Sequence, residues 1–477
     1  MTRLLSVSLA VALLGVAPGL VPAAPPAGQS AQALPVDRLV QNGQVQHRPG
    51  RDVAAELAAV GRGAEPVWIA WQVPMVDGDR SLCSWYSNST DNVFVRGAFL
   101  ESVDDSADRA RLAEPGGPVP LEAGTQLVVL LRAVGGQVER LRTVSGDCPL
   151  DAGGRALYWL DGVTTASSLA FLDGLTALDA STPAARMTLD SRRSMANAAL
   201  GAIALHRDAA ADAILDRIAA SGSDGSLRRQ AGSRLAAYRG SHGFDTLRRL
   251  VGSETDGAVR RSFAASLGNT HESGTPAALL ALARGDADAS VRAEAVGAYL
   301  RIAGPTGIDE ATAIASRDTE DRVKTRVVSG LASLPDAAGL PSILALARSD
   351  ASPSVRRSAI SALGRLDRPQ ATAALLELAR GDADARIRAE ASYQYIRAAG
   401  EPGAANLLAI IDRDPEDTVK RRAVAGLAAL PDHAGVPHLI TLARTNASLT
   451  VRKDAVTALG KADDPRALAY LEEVIRK

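Results

Sequence analysis

The chain has 477 residues, 46% of them hydrophobic but only 3% aromatic. That length holds two or three domains with ample core, and a core so poor in rings must be built from Ala, Leu and Val. Lys plus Arg number 53 against 54 for Asp plus Glu, a net charge of −1, so no bulk attraction to nucleic acid or anionic membrane is expected.

In chain order, the opening MTRLLSVSLAVALLGVAPGLVPAA has Arg3, an apolar run to Val16 and then small residues. This is the pattern of a cleavable secretory signal over residues 1–23, removed at Ala23 or Ala24. The run is too short for a stable membrane span, and no later stretch approaches the needed length. No cysteine stands near the cleavage region, so no lipoprotein-type anchor is expected. The mature chain is expected to be exported, periplasmic or secreted. Residues 24–50, rich in Ala, Pro, Gln and Gly, read as a flexible leader.

Residues 51–163 have a different character. A short helix is expected over Arg51–Val60, then strands over Val67–Val76, Val93–Glu101, Gln126–Val134 and Gln137–Val144. Gly135-Gly136 between the last two suits a tight primed hairpin turn. All four tryptophans lie here: Trp68, Trp71, Trp85 and Trp159. So do both cysteines of the chain, Cys83 and Cys148, with no CxxC and no adjacent histidine. In an exported chain they read as a disulfide, closing a loop worth about 4 kcal/mol in the chain-entropy model, with a nucleophile or redox pair as the alternative. A small β-rich, disulfide-bonded domain is the expectation.

Residues 164–477 are organised by a period. VRAEAVGAYL at Val291 has counterparts starting at Leu227, Val259, Val323, Val355, Ile387, Val419 and Val451, each 32 residues from the next. Apolar or small residues at i, i+4 and i+8, as in Val355, Ala359 and Leu363, mark one face of a helix. Three residues before each start stands Asp, Glu or Ser, suited to an N-terminus. A second apolar helix such as Thr275–Arg284, with Pro276 in its first turn, precedes it. A fixed period of paired helices means a solenoid, since neither helix buries its face alone. A longer period lies above it: Arg317–Arg348 returns at Arg413–Arg444, displaced by 96.

These residues resemble the HEAT-like repeats also found in phycobilin lyases, over roughly residues 190–477. With the leading segment, the chain resembles secreted bacterial HEAT-repeat proteins that carry a small domain of this kind. The resemblance implies an α-solenoid of HEAT-like helical pairs behind the β-rich domain. It also implies that the second helix of each unit lines a concave surface. HEAT-like proteins that bind iron use paired His-Glu dipeptides; here only His271-Glu272 occurs, so no metal or cofactor is expected. The export signal likewise argues against cytosolic pigment assembly.

One basic residue recurs per unit, from Arg228 through Arg292, Arg356 and Arg388 to Arg452, mostly with an acid four residues before it. That spacing reads as an i,i+4 pair worth about 0.2–0.5 kcal/mol. Arg356, preceded by Ser352, lies on the flank of its helix and is expected to be a cheap surface charge to lose, at about 0–1 kcal/mol. One step further, Arg229, Arg261, Arg357, Arg421 and Lys453 form a broken row pointing away from the core. Beside it, six residues into each second helix, seven of eight residues are small and the eighth is Tyr393. Tyr393 with Arg357 and Arg421 is the candidate partner-binding patch, of the residue types enriched at hot spots; the alternative is that Tyr393 simply packs on Arg388 or Arg397 of its own helix.

With no catalytic motif in view, the functional expectation is an exported, non-catalytic scaffold that binds another protein. Two rivals remain open: an enzyme or enzyme accessory with a site near Trp85 or Asp147, and an envelope structural protein that binds an anionic polymer.

Overall fold

The computed structural model describes residues 36–78, 82–87, 94–101, 125–178 and 187–476. The expected signal over residues 1–23 lies outside them, as does the leader as far as residue 35. The described architecture is a β-rich layer followed by a solenoid of helical pairs, as the pattern predicts.

Nine strands form two sheets among the described residues: β1 Val40–Gln41, β2 Gln44–Pro49, β3 Val67–Pro74, β4 Ser84–Ser87, β5 Phe94–Phe99, β6 Gln126–Val134, β7 Gln137–Ser145, β8 Leu150–Asp151 and β9 Ala156–Asp161. The larger sheet runs β2-β9-β3-β6-β7 and the smaller β1-β8-β5-β4. β6 and β7 form the expected hairpin, with Gly135 and Gly136 both at positive φ (55° and 77°) as a primed turn requires.

Leu127 to Leu131 of β6 are all fully buried, because this sheet is covered on both sides. On β3 the side chains alternate. Trp68 and Ala70 join a core shared with Cys148 and Leu150 of the smaller sheet. Ile69, Trp71 and Val73 join a second core with the helices Val53–Val60, Thr165–Gly174 and Leu189–Leu205. Cys83 and Cys148 are bonded, S–S 2.12 Å and Cα–Cα 5.4 Å.

The leader reading fails over residues 36–49. These form a short helix at Val36–Leu39 and strands β1 and β2, and β2 pairs in parallel with β9 from Gln44↔Ala156 to Pro49↔Asp161. QVQHRP shows no strand pattern because β2 is an edge strand, mostly exposed and held by its backbone ladder.

Sheet and solenoid meet at a buried polar relay. His206 Nδ1 lies 2.7 Å from the Ala202 carbonyl, to which it donates, so Nε2 accepts from the Ser168 hydroxyl at 2.8 Å. That hydroxyl in turn accepts from Trp71 Nε1 at 2.8 Å. Burial pushes the His206 imidazole down to about 4, although the Ala202 bond and Asp208 pull the other way. Val76 N–H donates to Leu205 O and Arg207 N–H to Pro74 O across the same joint. One continuous core therefore runs from Val53 to Tyr470.

The solenoid pairs outer helices, such as Thr275–Gly285, Leu340–Ser349 and Val436–Thr445, with inner ones, such as Ala289–Ala303, Pro353–Leu363 and Leu449–Leu459. Inner helices pack along their length on the next inner helix, whereas outer helices touch their successors only briefly. The stack therefore curves towards the inner helices, which line its concave side. Val355, Ala359 and Leu363 are fully buried, as their spacing requires.

Candidate functional site

The inner face rests on two sets of aspartates. The first set caps the inner helices: Asp256 Oδ1 accepts the Ala258 and Val259 amides at 2.8 and 3.1 Å, Asp288 Oδ1 accepts the Ser290 amide at 2.7 Å, and Asp384 Oδ1 the Arg386 amide at 2.8 Å. Glu320 and Glu416, one methylene longer, make no such bond. The second set follows each outer helix and meets the basic row.

Here the expected i,i+4 pairing is overturned. Asp288 is occupied as a cap, and Arg292 reaches instead to Asp318, 26 residues on, with Nε–Oδ2 2.7 Å and Nη2–Oδ1 3.0 Å. Its remaining Nη1 donates to the Asp286 carbonyl at 2.9 Å. Arg388 repeats this with Asp414 and Asp382, and Lys324 meets Asp350 at 3.1 Å. The arginine side chain is only 12–15% exposed in these two cases, because it lies in the seam between units. Burial pushes the Asp318 carboxyl up, but the Arg292 hydrogen bond, the Glu320 amide and the nearby cations outweigh it and hold the group low. Arg356 belongs to this ladder too: it donates to Asp350 O at 2.9 Å and lies 3.5 Å from Asp382. It is a seam residue, not a cheap one.

Of the candidate patch, the structure brings together a different set from the one expected. The Tyr393 ring is half-buried, with the Arg422 guanidinium 3.8 Å from its centroid and Arg397 at 5.9 Å. Arg422 is fixed from the side by Glu390 at 3.1 Å, and Glu390 accepts from Gln394 Nε2 at 2.8 Å. Arg421 turns away to Asp454 on the next inner helix, 3.4 Å off, and is 63% exposed. Arg357 is exposed and makes no ion pair with a described residue. The contact of Tyr393 with Arg397 on its own helix was expected, whereas sequence reasoning missed Arg422 and Glu390. Glu390 and Arg422 differ by 32, as do Glu294 and Arg326, which lie 3.6 Å apart; opposite charges one period apart were the available signal.

The small row beside Tyr393 is open at Ser233, Ser329, Ala425 and Thr457. Gly297, the counterpart of Tyr393, is buried, and a Cβ there would run into the Arg326 guanidinium. Arg326 lies flat on a glycine, whereas Arg422 rides on an aromatic ring.

Trp85 stands on β4 opposite Arg96, and Asp147 directly precedes the bonded Cys148. Among the described residues, no group of three or more His, Cys, Asp or Glu is placed to hold a metal ion, and no helix is long and apolar enough to cross a membrane.

The family model for HEAT repeats matches residues 211–299, 308–395 and 404–477, and the chain belongs to this family. Among curated proteins none matches. Solved structures that resemble it include YibA of E. coli, 18% identical over 55% of this chain and 96% of that one, TM-score 0.35. The complex of CpcE and CpcF of phycocyanin lyase from Nostoc sp. PCC7120 is 18% identical over 51% and 91%, TM-score 0.27. Kap121p bound to Pho4p is 13% identical over 64% of this chain and 39% of that one, TM-score 0.41.

Proposed function

We propose that the chain is an exported, non-catalytic scaffold that binds another protein on the inner face of its solenoid. The observation that supports this best is the Tyr393 assembly. An aromatic ring stacked under a guanidinium, itself tied to Glu390, stands among small side chains on the concave side. Tyr and Arg supply large amphipathic contact area, and a ring and guanidinium already fixed in place lose little freedom on binding. Arg357 and Arg421, on the inner helices either side, lend the surround a positive bias. The leader MTRLLSVSLAVALL supports export.

The test uses the full chain as bait on the exported fraction, then measures affinity of the recovered protein for wild type, Tyr393→Ala and Arg422→Ala. Each variant is expected to weaken binding about tenfold or more with helicity unchanged. Unchanged affinity in both sinks the inner-face reading. Export is checked by N-terminal sequencing of the mature protein, expected to start at residue 24 or 25; a retained Met1 would count against it.

A further inference from the structure

The 96-residue duplication supplies an internal control for the inner face. A cavity of about 510 Å³ opens beside the helices Asp417–Ala428 and Leu449–Leu459, with Val436, Leu439 and Ala462 in its apolar wall. Arg421, His433, Asp454 and Lys461 stand around it.

The first copy has the same backbone here. Its helices Asp321–Ala332, Leu340–Ser349 and Pro353–Leu363 sit 96 residues earlier. Its left-handed turn at Asp336 and Ala337 (φ 54° and 56°) matches Asp432 and His433 (53° and 54°). Five side chains differ in bulk or charge. Leu340 and Leu366 of the first copy pack against the core, and their counterparts are the smaller Val436 and Ala462. Thr325, Ala337 and Ser358 have become Arg421, His433 and Asp454. A wall with less carbon and a rim with more charge are not explained by solenoid packing, which the first copy satisfies with neither.

The polar groups of the rim are also incompletely used. Asp454 Oδ2 is buried without a hydrogen-bond donor; Arg421 Nε lies 3.4 Å away but is not aligned to donate. Lys461 is exposed and has no carboxylate within 4.0 Å among the described residues.

We infer that this cavity binds a short segment of a partner protein carrying a bulky aliphatic side chain beside a carboxylate. The aliphatic group fills the space over Ala462, and the carboxylate of the segment faces Lys461 and Arg421. The inference rests on the scaffold reading and deepens it by stating the partner's chemistry.

The experiment is fluorescence anisotropy with the full chain and three capped, labelled peptides of equal length. In a Gly/Ser frame these carry leucine between two glutamates, leucine between two lysines, or alanine between two glutamates. The first is expected to bind, and each of the others about tenfold or more weaker. Ala462→Leu, which restores the side chain of the first copy, is expected to weaken the first peptide about tenfold or more while keeping the wild-type melting temperature. No saturable binding of the first peptide below about 1 mM (roughly −4 kcal/mol), equal affinity for the glutamate and lysine peptides, or unaltered binding by Ala462→Leu each overturns the inference. A recovered partner that is lost with Tyr393→Ala but kept with Ala462→Leu overturns the cavity site alone. A partner kept with Tyr393→Ala and Arg422→Ala sinks the inner-face reading instead.

Discussion

The sheet layer and the repeat stack achieve burial in opposite ways. In the sheet, large side chains are each used once: Trp68 and Trp71, three residues apart on β3, fill two different cores on the strand's two faces. In the stack, small side chains recur at fixed positions, and the polar seam recurs with them as Arg292–Asp318 and Arg388–Asp414. A single-use core concentrates stability in a few residues, whereas a repeated one spreads it over near-equal interfaces between neighbours. The relay Trp71–Ser168–His206 joins the two, so the first units of the stack are fused to the sheet.

The comparison breaks first if the stack's own core is not cooperative. Leu363→Asp puts a carboxylate at a fully buried site and is expected to cost more than about 4 kcal/mol, seen as a collapsed denaturation midpoint. A midpoint near wild type would mean that the inner-helix face is misassigned.

In the sheet the counterpart is the bridge. Cys83→Ser with Cys148→Ser is expected to remove about 4 kcal/mol, from the loop of 65 residues it closes, and to lower a near-UV tryptophan transition before the helical one. Coincident loss of both signals would show that sheet and stack unfold as one. Intact mass with and without reductant checks the bond itself.

The joint is sharpened by acid. His206 is held neutral with a folded value of about 4 against an ordinary 6.5, so the unfolded chain takes up the extra proton between these limits. Its contribution is complete above pH 6.5 and is lost as pH falls towards 4, by about 3 kcal/mol. His206→Gln, which keeps a donor and an acceptor, should flatten that part of the stability profile. An unchanged profile would remove His206 as its cause.

The smallest expected effect tests the seam. Asp318→Ala leaves a partly buried Arg292 without its carboxylate and is expected to cost about 1.5–3 kcal/mol. Asp288→Ala loses only a helix cap, about 1 kcal/mol. Equal urea midpoints for the two variants would restore the i,i+4 reading of the ladder.

The sequence by itself determined the helical pairs, their stacking and the buried stripe, because a 32-residue period with i, i+4, i+8 apolar spacing admits one packing face. It also determined the β6–β7 hairpin, since Gly135-Gly136 answers a local backbone requirement. The tertiary structure alone decided what depends on neighbours distant in sequence. β2 is a strand only because β9 lends it a ladder. Arg292 abandons the acid four residues away, because Asp288 is consumed by the helix amides and Asp318 arrives from the next unit. Tyr393 lies under Arg422 and not between Arg357 and Arg421, because Arg422, three residues beyond Val419 and one period on from Glu390, is the side chain that leans across the seam. Helical periodicity is written in a single segment. The pairing of charges across a seam is set by the relative placement of two units, which no single unit specifies.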